Sequence, residues 1–150
     1  MIKILFVCLG NICRSPMAEF VMKKLVSDAG LSERIYIESA ATSTEELGNS
    51  VYPPARKKLA SVGIGCDGKT ARQMRKDDYA KFDYLIGMDS ANIRNMHRIA
   101  GGDPEGKIYK LMTFAGKEKD VADPWYTGNF DVTYDDVLEG CTALLEQLHI

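Results

Sequence analysis

The stretch that most restricts how this chain can fold is its start, "IKILFVCLGNICRSPMAEF". Residues 2–7, "IKILFV", form an apolar run broken by one lysine, which suits a strand buried on both faces. A short loop carrying Gly10 and Asn11 follows. From Pro16 the spacing becomes helical, with Ala18, Val21, Met22, Leu25 and Ala29 on one face and Gly30 as the stop. A buried strand, a tight loop and an amphipathic helix in that order are the opening unit of a parallel sheet.

The alternation continues. "RIYIES" (34–39) predicts a second strand, and a helix is expected from Pro53–Pro54 through Leu59 and Val62 to Gly63. "FDYLIGM" (82–88) predicts a third strand, followed by a helix from Ser90 to Ala100 that ends at Gly101–Gly102. "KIYKLM" (107–112) is the fourth. A last helix carries the stripe Val137, Leu138, Cys141, Leu144, Leu145 and Leu148, with Thr133 and Asp136 at capping-box spacing near its start. No repeat or linker interrupts the 150 residues, so residues 1–150 are expected to form one domain. The expected fold class is α/β: a four-stranded parallel sheet with helices on both faces, a flavodoxin-like or Rossmann-like three-layer sandwich. Such sheets bind ligands beyond the carboxyl ends of their strands, which is where residues 8–15 fall.

Several functional classes are disfavoured. A net charge of −2 supplies no basic field for nucleic acid. The N-terminal apolar run is too short to span a bilayer and lacks the pattern of a signal peptide, so a cytoplasmic protein with no membrane partner is expected. Cys8, Cys13, Cys66 and Cys141 are too few and too scattered for a disulfide framework and have no metal-ligand spacing. His97 and His149 are too isolated to suggest a metal site and read as surface residues. "RKDDY" (75–79) reads as a solvated face. "GIGCDG" (63–68) matches G-x-G-x-x-G, but it follows a helix and reads as a helix stop.

The loop "CLGNICRSP" (8–16) carries the chemistry. Backbone N–H groups between a strand and a helix N-terminus can converge on one anion, and the helix dipole adds to their effect. Gly10 permits a positive φ or a close backbone approach, and Asn11 tolerates left-handed geometry. Ser15 reads as the N-cap, and Pro16 fits the first helical position. Those donors and Arg14 favour the thiolate of Cys8, the nucleophilic form. The planar fork of Arg14 can grip two oxygens of a tetrahedral oxyanion as charge moves. Cys-x5-Arg followed by Ser arises by chance in roughly one such chain in a hundred, before the strand and helix context is counted. The plainer reading is a buried cysteine closing a strand and an arginine on a helix surface.

With "VCLGNICRSPMAE" (7–19), "ESAATS" (38–43), "ARQ" (71–73), "FDYLIGMD" (82–89) and "DPWYTG" (123–128), the chain resembles the low-molecular-weight protein tyrosine phosphatases over nearly its whole length. The resemblance implies hydrolysis of phosphotyrosine in a protein or peptide, with inorganic phosphate as product. Cys8 would be the nucleophile, Arg14 the phosphate clamp and Asp123 the general acid and base, acting through a phosphocysteine intermediate with no metal or cofactor. Leu9, Gly10, Asn11, Ile12, Cys13 and Ser15 would complete the phosphate-binding loop. Ser15 would hydrogen-bond the Cys8 sulfur, and Asn11 would hold the loop through Ser39. Cys13 would either trap oxidised Cys8 as a reversible disulfide or be a small buried side chain. Ile12, Glu45, Trp125 and Tyr126 would line the cleft, although partial core packing is open for one of the two aromatics. Without the resemblance, Asp123 before Pro124 in an ordered loop reads as a turn residue.

Departures from the family pattern bear on specificity. Glu45 stands where eukaryotic members often carry an aromatic, and Lys69 lies near where some carry a histidine in the loop-supporting network. Relatives with threonine at the Ile12 position resemble protein-arginine phosphatases; an apolar Ile12 favours a phenyl ring instead. Arsenate reductases share the loop but use two further cysteines in mid-chain, and residues 67–140 contain none. A phosphotyrosine-binding module without activity would be expected to lack Cys8 or Asp123.

Overall fold

The structure is a computed structural model that describes residues 1–148; His149 therefore lies outside the described residues. Its strands are β1 (Ile2–Cys8), β2 (Ile35–Ala41), β3 (Tyr84–Gly87) and β4 (Ile108–Lys110). All pairings are parallel, in the order β2-β1-β3-β4. β1 is central, and successive side chains on it serve opposite layers. Ile4, Phe6 and Cys8 join one buried cluster, while Leu5 and Val7 join the other. The unbroken apolar run is thus a two-period strand buried on both faces.

The first cluster is capped by α1 (Arg14–Asp28), α2 (Pro53–Ser61) and α6 (Phe130–Gln147). α4 (Ser90–Ala100) covers the other, together with the single turn α3 (Asp78–Lys81). α5 (Pro124–Thr127) is also one turn, and residues Leu111–Ala115 form a 3₁₀ turn after β4. Helices on both faces of a four-stranded parallel sheet make this a three-layer α/β fold. Among the described residues no helix is long and apolar enough to cross a membrane.

Three local readings are corrected. The "RKDDY" face is solvated only over Arg75, Lys76 and Asp77: Asp78 is buried beneath Arg72, which donates to both its oxygens at 3.0 and 3.3 Å, and Tyr79 is buried with its hydroxyl on Asp103. Such pairing offsets the cost of burying a carboxylate, which residue type alone does not reveal. Thr133 and Asp136 do not cap α6. Its N-cap is Asn129, whose side chain accepts from the amides of Asp131 and Val132. "DPWYTG", expected to be an ordered loop, contains a helical turn instead, because Pro124 starts α5.

Candidate active site

Four segments meet at the carboxyl ends of the strands: the loop after β1, the loop after β2, Met88–Asp89 after β3, and residues 121–126. The loop after β1 is held by its own side chains. Asn11 takes φ of 59°, the left-handed region, and is buried. Its amide nitrogen donates to Ser15 Oγ at 2.8 Å and Ser39 Oγ at 3.0 Å, and its carbonyl accepts the Arg72 amide at 3.2 Å. Gly10 does not need a positive φ. A Cβ there would come within 3.3 Å of Glu46 Cγ, a close approach that the Glu46 side chain would have to yield to.

Ser15 is not an N-cap. α1 starts one residue earlier, at Arg14, with Cys13 before it. The Ser15 hydroxyl turns inward and lies 2.9 Å from Cys8 Sγ, which also accepts the Asn11 backbone N–H at 3.3 Å. Behind Ser39 sits buried Glu19, which accepts from the Ser39 hydroxyl at 2.5 Å and from Lys23 at 2.6 Å. Lys69 completes this support: its ammonium donates to the Ser39 carbonyl at 2.8 Å and lies 3.4 Å from Glu19. Burial lowers the Lys69 pKa, with Glu19 acting against that shift.

Arg14 is buried and fixed on three sides. One guanidinium nitrogen lies 2.9 Å from an Asp89 oxygen and donates to the Val121 carbonyl at 3.1 Å; the other lies 3.4 Å from Asp123 Oδ2. Asp89 caps α4 through its second oxygen, which accepts the Asn92 amide at 2.7 Å. Asp123 is the N-cap of α5, its Oδ1 accepting the Trp125 amide at 3.0 Å. Both its turn role and its place beside Arg14 are therefore real, on different oxygens.

Cys8, Leu9, Gly10, Ile12, Cys13, Arg14, Glu45, Glu46, Asp123, Trp125 and Tyr126 line one cleft of about 170 Å³. That is below the roughly 300 Å³ at which sites engulf a drug-sized ligand, so most of a peptide-sized ligand would stay outside it. Trp125 is 57 % exposed and leans on Tyr52, with ring centroids 5.1 Å apart; Tyr126 is 82 % exposed. The Cys13 thiol is pushed up to about 12, first by burial and then by the nearby Cys8 and Asp123. It stays protonated at neutral pH. Cys66 and Cys141 are buried in the core, and His97 is on the surface.

Of the loop residues nominated from the sequence, Asn11 and Ser15 are buried within the loop and do not line the cleft. Ser39 stands behind the loop, in contact with Asn11. Sequence reasoning missed Asp89 as a partner of Arg14, and Glu19 as the anchor of Ser39 and Lys69. Only the quoted "FDYLIGMD" pointed towards Asp89.

A family model described as low molecular weight phosphotyrosine protein phosphatase matches residues 3–150. The chain belongs to that family. Low molecular weight protein-tyrosine-phosphatase YfkJ of Bacillus subtilis is 39% identical over 150 residues, covering 99% of this chain and 96% of that protein. The YfkJ crystal structure superposes with a TM-score of 0.95, covering 99% of this chain and 94% of that one. SP-PTP, a low molecular weight protein tyrosine phosphatase from Streptococcus pyogenes, is 44% identical with a TM-score of 0.90, covering 100% and 95% of the two chains. A Drosophila arginine phosphatase, DARP, is similar at 28% identity and a TM-score of 0.91, with 99% of each chain covered.

Proposed function

We propose that this family member hydrolyses phosphotyrosine in proteins or peptides through a phosphocysteine intermediate. The observation that carries the reading is the convergence on one small cleft of a thiol, a guanidinium and a carboxyl group from distant parts of the chain: Cys8, Arg14 and Asp123. The phosphoryl oxygens sit on the amides of residues 9–14 and the Arg14 fork. The Cys8 thiolate attacks phosphorus, forming the S–P bond as the P–O bond to the ring breaks. Asp123 gives its proton to the departing phenolic oxygen. A water then attacks phosphorus, Asp123 takes the proton, and the S–P bond breaks to release phosphate. The Ser15 hydroxyl, beside the sulfur, stabilises the departing thiolate. No step calls on a metal or cofactor, and the free thiols suit a reducing compartment such as the cytoplasm.

Ile12 at the cleft wall and the indole of Trp125 favour an aryl ring over the polar guanidinium of phosphoarginine. The test is kcat/KM on matched phosphotyrosine and phosphoarginine peptides, with Cys8→Ser as the blank. Turnover of phosphotyrosine that vanishes in the variant is expected. Preference for phosphoarginine would keep the thiolate chemistry and overturn the pocket reading. Turnover of neither would end the phosphatase reading.

A further inference from the structure

Residues 117–123 have no regular secondary structure, yet the two residues before Asp123 have all four backbone polar groups hydrogen-bonded. The Val121 amide donates to the Met88 carbonyl at 2.9 Å, and its carbonyl accepts from Arg14 at 3.1 Å. The Ala122 amide donates to Asp136 Oδ2 at 3.1 Å, and its carbonyl accepts from the Thr133 hydroxyl at 2.8 Å. Thr133 and Asp136 are three residues apart on α6, hence on one face, and both are buried. Asp136 also takes Lys119 on its other oxygen at 2.8 Å, pinning the same segment upstream.

We propose that Thr133 and Asp136 are positioning residues for Asp123: together they grip the Ala122 peptide units from both sides and so set where the next residue's carboxyl group points. This rests on the reading of Asp123 as general acid. The physical case is one of leverage. Asp123 has extended backbone, φ −86° and ψ 108°, and its side chain reaches only two bonds beyond Cα. A turn of the preceding peptide therefore swings the carboxyl group away from Arg14 and the leaving-group side of the cleft. Among the described residues the Ala122 peptide has no other hydrogen-bond partner: its side chain is a methyl, and no strand or helix includes it. Two buried polar groups at the start of a helix that has another residue as its cap need a further reason to be there, and this contact supplies one.

A positioning role for an acid predicts a signature that general destabilisation does not. Loss of proton donation slows expulsion of a poor leaving group far more than that of a good one. The experiment measures kcat/KM, which reports the step up to transfer onto Cys8, for phenyl phosphate and 4-nitrophenyl phosphate in wild type, Thr133→Val, Thr133→Ser, Asp136→Asn and Asp123→Asn. The expected result for Thr133→Val is a loss of about tenfold on phenyl phosphate and under about threefold on 4-nitrophenyl phosphate. Thr133→Ser, which keeps the hydroxyl, restores the wild-type ratio. Equal losses on both substrates, or no loss in a folded Thr133→Val, would overturn the proposal. Should Thr133→Val not fold, the ratio in Asp136→Asn decides by the same criterion. Asp123→Asn separates the two readings: if it leaves the ratio unchanged, the acid assignment itself fails and the proposal falls with it. A shifted ratio in Asp123→Asn but not in the α6 variants removes only the positioning role.

Discussion

Asn11 combines a left-handed backbone with three side-chain hydrogen bonds, and two substitutions separate these contributions. Asn11→Gly removes the side chain and leaves φ of 59° free of strain. What is lost is the acceptor of the Arg72 amide and the donor to Ser15 and Ser39. Ser15 keeps the Cys8 sulfur and Ser39 keeps Glu19, so those hydroxyls are not abandoned. The Arg72 amide loses the one acceptor it has here, and leaving a buried or half-buried donor unmet costs about 1–3 kcal/mol. Asn11→Ala loses the same bonds and adds the left-handed penalty of roughly 1–2 kcal/mol, partly offset by about 0.4–1 kcal/mol because alanine has fewer unfolded states than glycine. Asn11→Gly should therefore cost about 2 kcal/mol and Asn11→Ala roughly 0.5–1 kcal/mol more. Urea unfolding followed by circular dichroism measures both from the shift in midpoint at constant slope. Alanine equal to or better than glycine would refute the claim that the loop turns at Asn11 through its backbone.

Two further expectations concern the cleft and its thiols. Glu45 and Glu46 add two carboxylates to the lining of the cleft, so phosphotyrosine peptides with lysine beside the phosphotyrosine should be turned over a few-fold faster in kcat/KM than those with glutamate. The preference should fade at high salt and shrink in Glu45→Gln; a salt-independent preference would argue against it. Burial pushes the Cys13 thiol up to about 12 from 9.0 and raises Cys141 as well. Between those values the folded chain holds protons that the unfolded chain has released, so stability falls as pH rises above about 9, by about 1.4 kcal/mol per pH unit for each thiol. Cys13→Ala should lose less stability than wild type between pH 8 and 10 in urea titrations; parallel curves would show that the Cys13 thiol ionises alike in both states.

The layers of the fold were legible because each element carries its period openly. The run from Ile2 to Val7 could satisfy two apolar layers only as a central strand, and the stripe through Val137, Cys141 and Leu144 could pack only as a helix face. Cys8, Arg14 and Ser15 were legible for a different reason: one tight turn brings them together, so their spacing is itself a distance. Asp123 had no such signal. Its partner Arg14 is remote in sequence, and only the resemblance lifted it above an ordinary turn residue. Asp89 and Glu19 were missed on the same ground. Each meets its partner across the sheet's end or beneath the loop, and nothing local marks a carboxylate that will find a guanidinium or ammonium there.

The two misread caps share one cause, and it bears on how the site is built. Serine, threonine and aspartate near a helix start are expected to satisfy the helix's own free amides, because those donors are the nearest ones available. Ser15 and Asp136 violate that rule in opposite parts of the chain. Ser15 sets its hydroxyl against the Cys8 sulfur and accepts from Asn11; Asp136 accepts from the Ala122 amide and from Lys119. In α6 the helix's own amides are met by Asn129 instead, which leaves Thr133 and Asp136 free to reach outside it. Local preference thus fails at the two helices whose N-terminal turns face the nucleophile and the segment carrying the acid. A chain in which Asp89 caps α4, Asp123 caps α5 and Asn129 caps α6 in the ordinary way departs from the rule where the polar group is needed to orient another residue.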